Sequence, residues 1–190
     1  MRKKIIITGG LGYIGSELCK LYSGVSWHHK IIVIDNRFIS ERVNQIRNWN
    51  MEYIQGDILD KKLIQEYFKD ADVVHHLAGI TSVPRTKSES SREIDDKIKL
   101  VAEEGTQNIL DAVSNKCKLI FPSTHVVYEG ISEVKNDIKE DEITKPILSY
   151  SSSKAVNEKQ LKESGKNYVI LRLGSVYGYS NDTMRIDIMP

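Results

Sequence analysis

Short apolar runs alternate with longer mixed stretches along this chain. Runs at 3–8, 30–35, 51–55, 72–77, 118–122 and 168–172 read as strands. Most are unbroken Ile, Val and Leu rather than apolar–polar alternation, the pattern of strands covered on both sheet faces. Helical patterns occupy 13–22, 61–69, 95–114 and 151–163, and 37–49 reads as a short helix. Strands alternating with helices predict right-handed crossovers and an α/β fold, a doubly wound parallel sheet with helices on both faces. There is no internal repeat.

Two segments follow neither period. Residues 81–96 are rich in Ser, Thr, Lys and Glu and read as an exposed loop entering a helix. Residues 129–149 are mostly charged, with Pro146 near the end, and read as a long loop after the fifth strand. Solvated surface is the default account of both. Each nevertheless follows the carboxyl end of a strand, where open α/β sheets place their ligands, and long loops there are more often functional.

Composition narrows the classes of function. The 190 residues carry 27 basic and 26 acidic side chains, a net charge of +1, which weighs against a nucleic-acid binder held by phosphate neutralisation. An apolar fraction of 40% suits one packed domain. No run approaches the roughly 20 apolar residues of a membrane helix. The start, Met1-Arg-Lys-Lys-Ile-Ile-Ile, resembles a signal peptide, but glycines cut its apolar run short. Cys19 and Cys117 make no disulfide framework and fit a reducing compartment, so the expectation is a soluble cytoplasmic chain. His75 and His76 alternate across a strand and cannot share a metal, and no cluster has metal-ligand spacing, so none is expected.

Ile5-Ile-Ile-Thr-Gly9-Gly10-Leu-Gly12-Tyr13-Ile14-Gly15 places glycines at 9, 12 and 15 where a strand runs into a helix. Gly9 permits the tight turn, Gly12 a close approach to a pyrophosphate, and Gly15 close packing of helix on sheet; the helix N-terminus supplies N–H groups and partial positive charge. An ordinary glycine turn is the competing reading. Asp35, twenty residues after Gly15 and ending the second strand, supplies the context that a dinucleotide fingerprint requires. Its carboxylate suits the adenosine ribose hydroxyls and would repel a 2′-phosphate, favouring NAD over NADP, while Arg37 works the other way. Asp57, after Gly56 at the end of the third strand, reads either as an adenine-side contact or as a turn or cap aspartate.

Tyr150 and Lys154 stand four residues apart, on one face of a helix. A tyrosine ordinarily titrates near ~10, and a fixed positive charge lowers that, making a usable base near neutrality. The pair means little alone; its weight comes from following the fifth strand of a dinucleotide fold.

With these motifs the chain resembles the extended short-chain dehydrogenase/reductase family, specifically its nucleotide-sugar epimerases and dehydratases. The resemblance rests on Thr8 through Gly15, Asp35-Asn36, Gly56-Asp57-Ile58, His76-Leu77-Ala78-Gly79, Gly105 through Asn108, Ser123-Thr124 with Val127-Tyr128, Pro146 through Lys154, and Arg172 through Gly178. It implies a Rossmann-type domain over 1–180, with 181–190 beginning a substrate-binding region. It implies NAD held by Gly9, Gly12, Tyr13, Ile14, Gly15, Asp35, Asn36, Asp57, Ile58, Leu77, Ala78, Gly79, Lys154 and Ser175. By the same resemblance Tyr150 is the acid/base, Lys154 orients it and holds the nicotinamide ribose, and Thr124, with Ser123 as understudy, hydrogen-bonds the substrate hydroxyl. His76 matches a structural histidine of the family.

The family's 4,6-dehydratases usually follow the Thr with an acidic pair, because eliminating water needs a second acid/base couple, and the decarboxylase branch also looks for a glutamate there. Here His125 and Val126 follow, and Asp35-Asn36 and His76 through Gly79 look like the 4-epimerase branch. The resemblance therefore implies epimerisation of a nucleotide-diphosphate sugar at C4 through a transient 4-keto sugar. Departures from the family pattern are Ala102 for an Asn, Ser175 for an Asn, Tyr179 for a Pro, and His125 beside the Thr. Family members run to roughly 300–350 residues, a dinucleotide domain plus a smaller one, so this chain is expected to bind NAD and to turn over nucleotide sugars poorly. A homodimer through helices 95–114 and 151–163 is implied, with no nucleic acid and no membrane partner. Two other readings stay open: an NAD(P)-dependent nucleotide-sugar reductase or other dehydrogenase of the family, and a non-catalytic dinucleotide-binding module.

Overall fold

The computed structural model describes residues 2–81 and 86–178. Six strands, β1 (Lys4–Thr8), β2 (Lys30–Asp35), β3 (Glu52–Gln55), β4 (Val73–His76), β5 (Lys118–Thr124) and β6 (Asn167–Leu173), form one sheet in the order β3-β2-β1-β4-β5-β6. Every pairing is parallel, with registers such as Ile6↔Ile32 and Ile6↔Val74. The chain winds outward from β1 to β3, then returns to lay β4 on the other side of β1. This reversal opens a crevice at the carboxyl ends of β1 and β4.

Among the described residues five α-helices cover both faces: α1 (Tyr13–Ser23), α2 (Ser40–Asn48), α3 (Lys61–Phe68), α4 (Arg92–Ala112) and α5 (Ser149–Glu163). The strand pleat divides the apolar run of β1 between two cores. Ile5 and Ile7 join Val33 under Cys19 of α1 and Val43 and Ile46 of α2. Ile6 joins Val74 and Phe121 under Phe68 of α3, Ile109 of α4 and Leu161 of α5. This is the doubly wound parallel sheet expected of unbroken Ile and Val runs.

Several boundaries differ from the sequence reading by one to three residues, and two of them have a clear physical reason. The fourth long helix begins at Arg92 rather than 95, because Ser91 caps it by accepting from the Ile94 N–H, and Glu93 and Asp95 favour its positive end. The fifth strand continues past Pro122 to Thr124. Its pairing with β4 ends at Ile120, so the missing proline N–H costs no ladder bond there, and residues 122–124 pair with β6 alone. Among the described residues no helix is long and apolar enough to cross a membrane. Tyr179 and the region 181–190 lie outside the described residues.

Candidate active site

The glycine loop is built for close backbone approach. Gly9 has φ +67°, and a Cβ there would lie 2.8 Å from the Ala78 nitrogen, so no side chain fits between β1 and β4. A Cβ on Gly15 would lie 2.2 Å from the Gly9 carbonyl, which seats the first turn of α1 against the loop. Gly12 is the N-cap of α1; no side chain caps it and no acid stands in the first turn. The positive end of α1 could therefore hold an anion such as a pyrophosphate. Tyr13 is half-buried, its hydroxyl donating to the Gly178 carbonyl, so the chain leaving β6 returns to α1; Ile14 is exposed.

Asp35 is 5% exposed, and its carboxylate accepts from the Leu11 N–H at 2.9 Å and from Arg37 N and Nε at 3.0 and 3.3 Å. Oδ1 already takes both Arg37 donors, while Oδ2, with the Leu11 N–H alone, keeps acceptor capacity for a ribose hydroxyl. Asn36 donates to Asp57 at 3.0 Å, joining the ends of β2 and β3. The other Asp57 oxygen accepts from the Leu59 N–H, as a turn aspartate does, and the cap of α3 is Asp60. Ile58 sends its side chain into the core, leaving any ligand contact to its backbone.

Across the crevice, Thr8 Oγ1 accepts from the Ala78 N–H at 3.0 Å and meets His76 Nδ1 at 3.1 Å. His76 Nε2 meets Thr106 Oγ1 on α4 at 3.0 Å. Complete burial, with the Lys154 charge adding to it, pushes His76 down to about 3, so it stays neutral and joins β1, β4 and α4. Leu77 and Ala78 pack on the two cores, whereas Gly79 is exposed, with open space where a Cβ would stand.

Tyr150, Lys154, Ala78, Gly79, Phe121 and Asn157 line one small cavity on the α5 side of this crevice. Lys154 Nζ donates to the Pro122 carbonyl at 2.8 Å and lies 4.4 Å from the Phe121 ring centroid and 5.9 Å from that of Tyr150. Desolvation pushes the ammonium down to about 8; the side-chain stem is half-buried, but its charged end is enclosed. Ala102, where the family pattern has Asn, also lines the cavity and accepts from Asn157 Nδ2 at 2.9 Å through its carbonyl.

Thr124 is 8% exposed and caps a 3-10 turn, His125–Tyr128, by accepting from the Val126 N–H. That turn packs on α5. Ser123 is placed differently: it shares the face of Phe121 and donates its hydroxyl to Glu158 at 2.6 Å. His125 is exposed, with Nδ1 3.1 Å from the Leu173 carbonyl, and Ser175 is exposed beyond β6.

Sequence reasoning passed over two carboxylates. Glu158 sits eight residues after Tyr150 and four after Lys154, the spacing of one helix face, and that spacing was the available signal. It accepts from Ser123 and, bidentately, from Arg172. Glu129 holds the start of α5 from across the long loop, and no local pattern marks it. Among the described residues no group of His, Cys, Asp and Glu could hold a metal ion.

Residues 5–189 match the model of the NAD dependent epimerase/dehydratase family. A dTDP-D-glucose 4,6-dehydratase of Dictyostelium discoideum is 30% identical over 197 residues, covering 93% of this chain and 44% of its own length. A UDP-N-acetylglucosamine 4-epimerase from Methanobrevibacter ruminantium M1, solved with UDP-N-acetylmuramic acid, superposes with a TM-score of 0.78 at 29% identity, over 95% of this chain and 57% of that one. The UDP-glucose 4-epimerase from Brucella ovis, solved with NAD, gives 0.71 at 28% identity, over 90% and 51%. The chain thus spans about half the length of these proteins.

Proposed function

Since the chain belongs to the NAD-dependent epimerase/dehydratase family, we propose that it inverts a nucleotide-diphosphate sugar at C4 through a transient 4-keto sugar. The cofactor of the family is NAD, which the glycine loop, the start of α1 and Asp35 would hold; when bound it accepts a hydride from the sugar and returns it. Tyr150 moves the proton of the 4-hydroxyl, Lys154 keeps a positive charge beside the phenol, and Thr124 hydrogen-bonds the sugar hydroxyl. At pH 7 a lysine with a pKa of about 8 is still roughly nine-tenths protonated, so the cation persists under working conditions.

The observation that carries this reading over water elimination is the turn after Thr124. Its residues His125, Val126, Val127 and Tyr128 offer no carboxylate, and the next residue, Glu129, is bound to the start of α5. Elimination needs a second acid/base couple beside the Thr. The likeness to 4-epimerases supports the same choice, while the dehydratase relative names the alternative. A second copy pairing through α4 and α5, where Leu100 and Val156 are exposed, belongs to the same proposal.

The test combines calorimetry with NAD and NMR of UDP-glucose and UDP-N-acetylglucosamine incubated with the whole protein. Expected are NAD binding, appearance of the C4 epimer and no net NADH, with Tyr150→Phe abolishing conversion but not NAD binding. A 4-keto-6-deoxy product would make the protein a dehydratase, and stoichiometric NADH or NAD a dehydrogenase or reductase. NAD binding with no conversion of any nucleotide sugar would leave a binding module.

A further inference from the structure

The start of α5 lacks a cap of its own. Its N-cap is Leu148, which has no side-chain acceptor, although Tyr150 stands in the first turn of this helix. The acceptor comes instead from the far side of the long loop. Glu129 Oε1 receives the N–H of Ile147 at 2.7 Å, the N–H of Leu148 at 2.8 Å, and the hydroxyl of Ser151. Burial pushes the Glu129 carboxyl up, but the hydrogen bonds from Ser151, Leu148 and Ile147 outweigh it and hold the group below its ordinary value, so it is a carboxylate at neutral pH. A negative charge at the positive end of a 15-residue helix is favourable in itself.

The ends of the loop are stitched together beside this contact. Gly130 N–H donates to the Lys145 carbonyl and Lys145 N–H to the Val127 carbonyl, both at 2.8 Å. A Cβ on Gly130 would lie 2.5 Å from the Lys145 carbonyl, so the two backbones touch closely. On its other side the first turn of α5 faces α4, with Ser149 and Asp95 lining one cleft between the two helices. Glu129 also ends the turn that Thr124 begins: four residues, His125–Tyr128, separate them. The carboxylate thus closes a short path from Thr124 to Tyr150 that bypasses the loop between.

We propose that Glu129 is a positioning residue that sets Tyr150 against Thr124, by gripping the backbone of Ile147 and Leu148 and the Ser151 hydroxyl at the start of α5. It touches no reacting atom itself. The proposal rests on the reading of Tyr150 as the proton-transfer residue, and its structural part is measurable without turnover. Small errors of placement are costly in such a site, on the order of a hundredfold for about 1 Å.

The experiment incorporates 3-fluorotyrosine into the whole protein and assigns the Tyr150 fluorine resonance by its loss in Tyr150→Phe. Glu129→Ala is expected to shift or broaden that resonance and to lower kcat about tenfold or more, with KM for UDP-glucose and NAD affinity little changed. Glu129→Gln, whose amide oxygen still accepts from Ile147 and Leu148, should restore most of both. Where the alanine variant fails to fold, Glu129→Asp, which withdraws the carboxylate by one methylene, should move the same resonance. A Tyr150 resonance unmoved in a folded Glu129→Ala or Glu129→Asp variant would overturn the proposal, leaving Glu129 a plain helix cap. A resonance that moves in a protein showing no C4 inversion would sink the epimerase reading and leave the positioning role standing.

Discussion

The carboxylate of Glu158 receives Arg172 Nε at 2.9 Å and Nη2 at 2.7 Å, a bidentate pair joining α5 to β6 in the protein interior. Glu158 is 3% exposed and also accepts from Ser123, while Arg172 reaches the Glu140 carbonyl and the Tyr128 hydroxyl. Burial alone would raise the Glu158 pKa; Arg172, Ser123 and the Lys162 charge reverse that and hold it below its ordinary value. With Lys154 on Pro122 and Glu158 on Ser123, α5 grips two successive residues of β5, immediately before Thr124.

Breaking this pair from one side leaves a largely buried guanidinium without its counter-charge. Glu158→Ala is expected to cost about 3–5 kcal/mol in urea unfolding, whereas Glu158→Leu combined with Arg172→Met should recover much of that loss. A single variant within ~0.5 kcal/mol of wild type would mean that water reaches the pair and screens it.

Lys154 makes stability depend on pH in a definite direction. Burial holds its pKa at about 8, against 10.5 for a free lysine, so the folded chain releases this proton before the unfolded chain does. The cost of enclosing the charge is fully present below pH 8 and fades as pH rises toward 10.5. Relative to wild type, Lys154→Met should therefore be most stable near pH 7 and should lose that advantage by pH 10, a swing on the order of 2–3 kcal/mol. The difference cancels groups common to both proteins, including the buried Cys19 and Cys117. A gap that stays constant from pH 7 to 10 would show a solvated ammonium.

Gly9→Ala tests the crevice at its tightest point. The left-handed backbone costs a side chain about 1–2 kcal/mol, and the new methyl would press on the Ala78 backbone at 2.8 Å. A melting temperature lower by roughly 5–10 °C is expected, with weakened NAD binding by calorimetry because the turn must open. Unchanged NAD affinity would mean that the loop contributes nothing to the cofactor site.

The sequence alone determined the fold class, the five α-helices and six strands of the described residues to within a few positions, and the place of the glycine loop. These are local properties: burial on both faces writes itself into unbroken apolar runs such as Ile31–Ile34, and a tight turn between strand and helix demands glycine at Gly9. Tyr150 and Lys154 were legible for the same reason, being one helical turn apart. What only the tertiary structure decided lies across distance in the chain. Ser123 and Thr124 are chemically alike and adjacent, yet the pleat sends the first to Glu158, 35 residues on, while the second begins the turn beside α5. Glu129 finds Ile147 and Leu148 across the long loop, and Arg172 finds Glu158 only when β6 lies beside β5. No local period encodes such partners, because they are set by how the elements stack once their apolar faces have been buried.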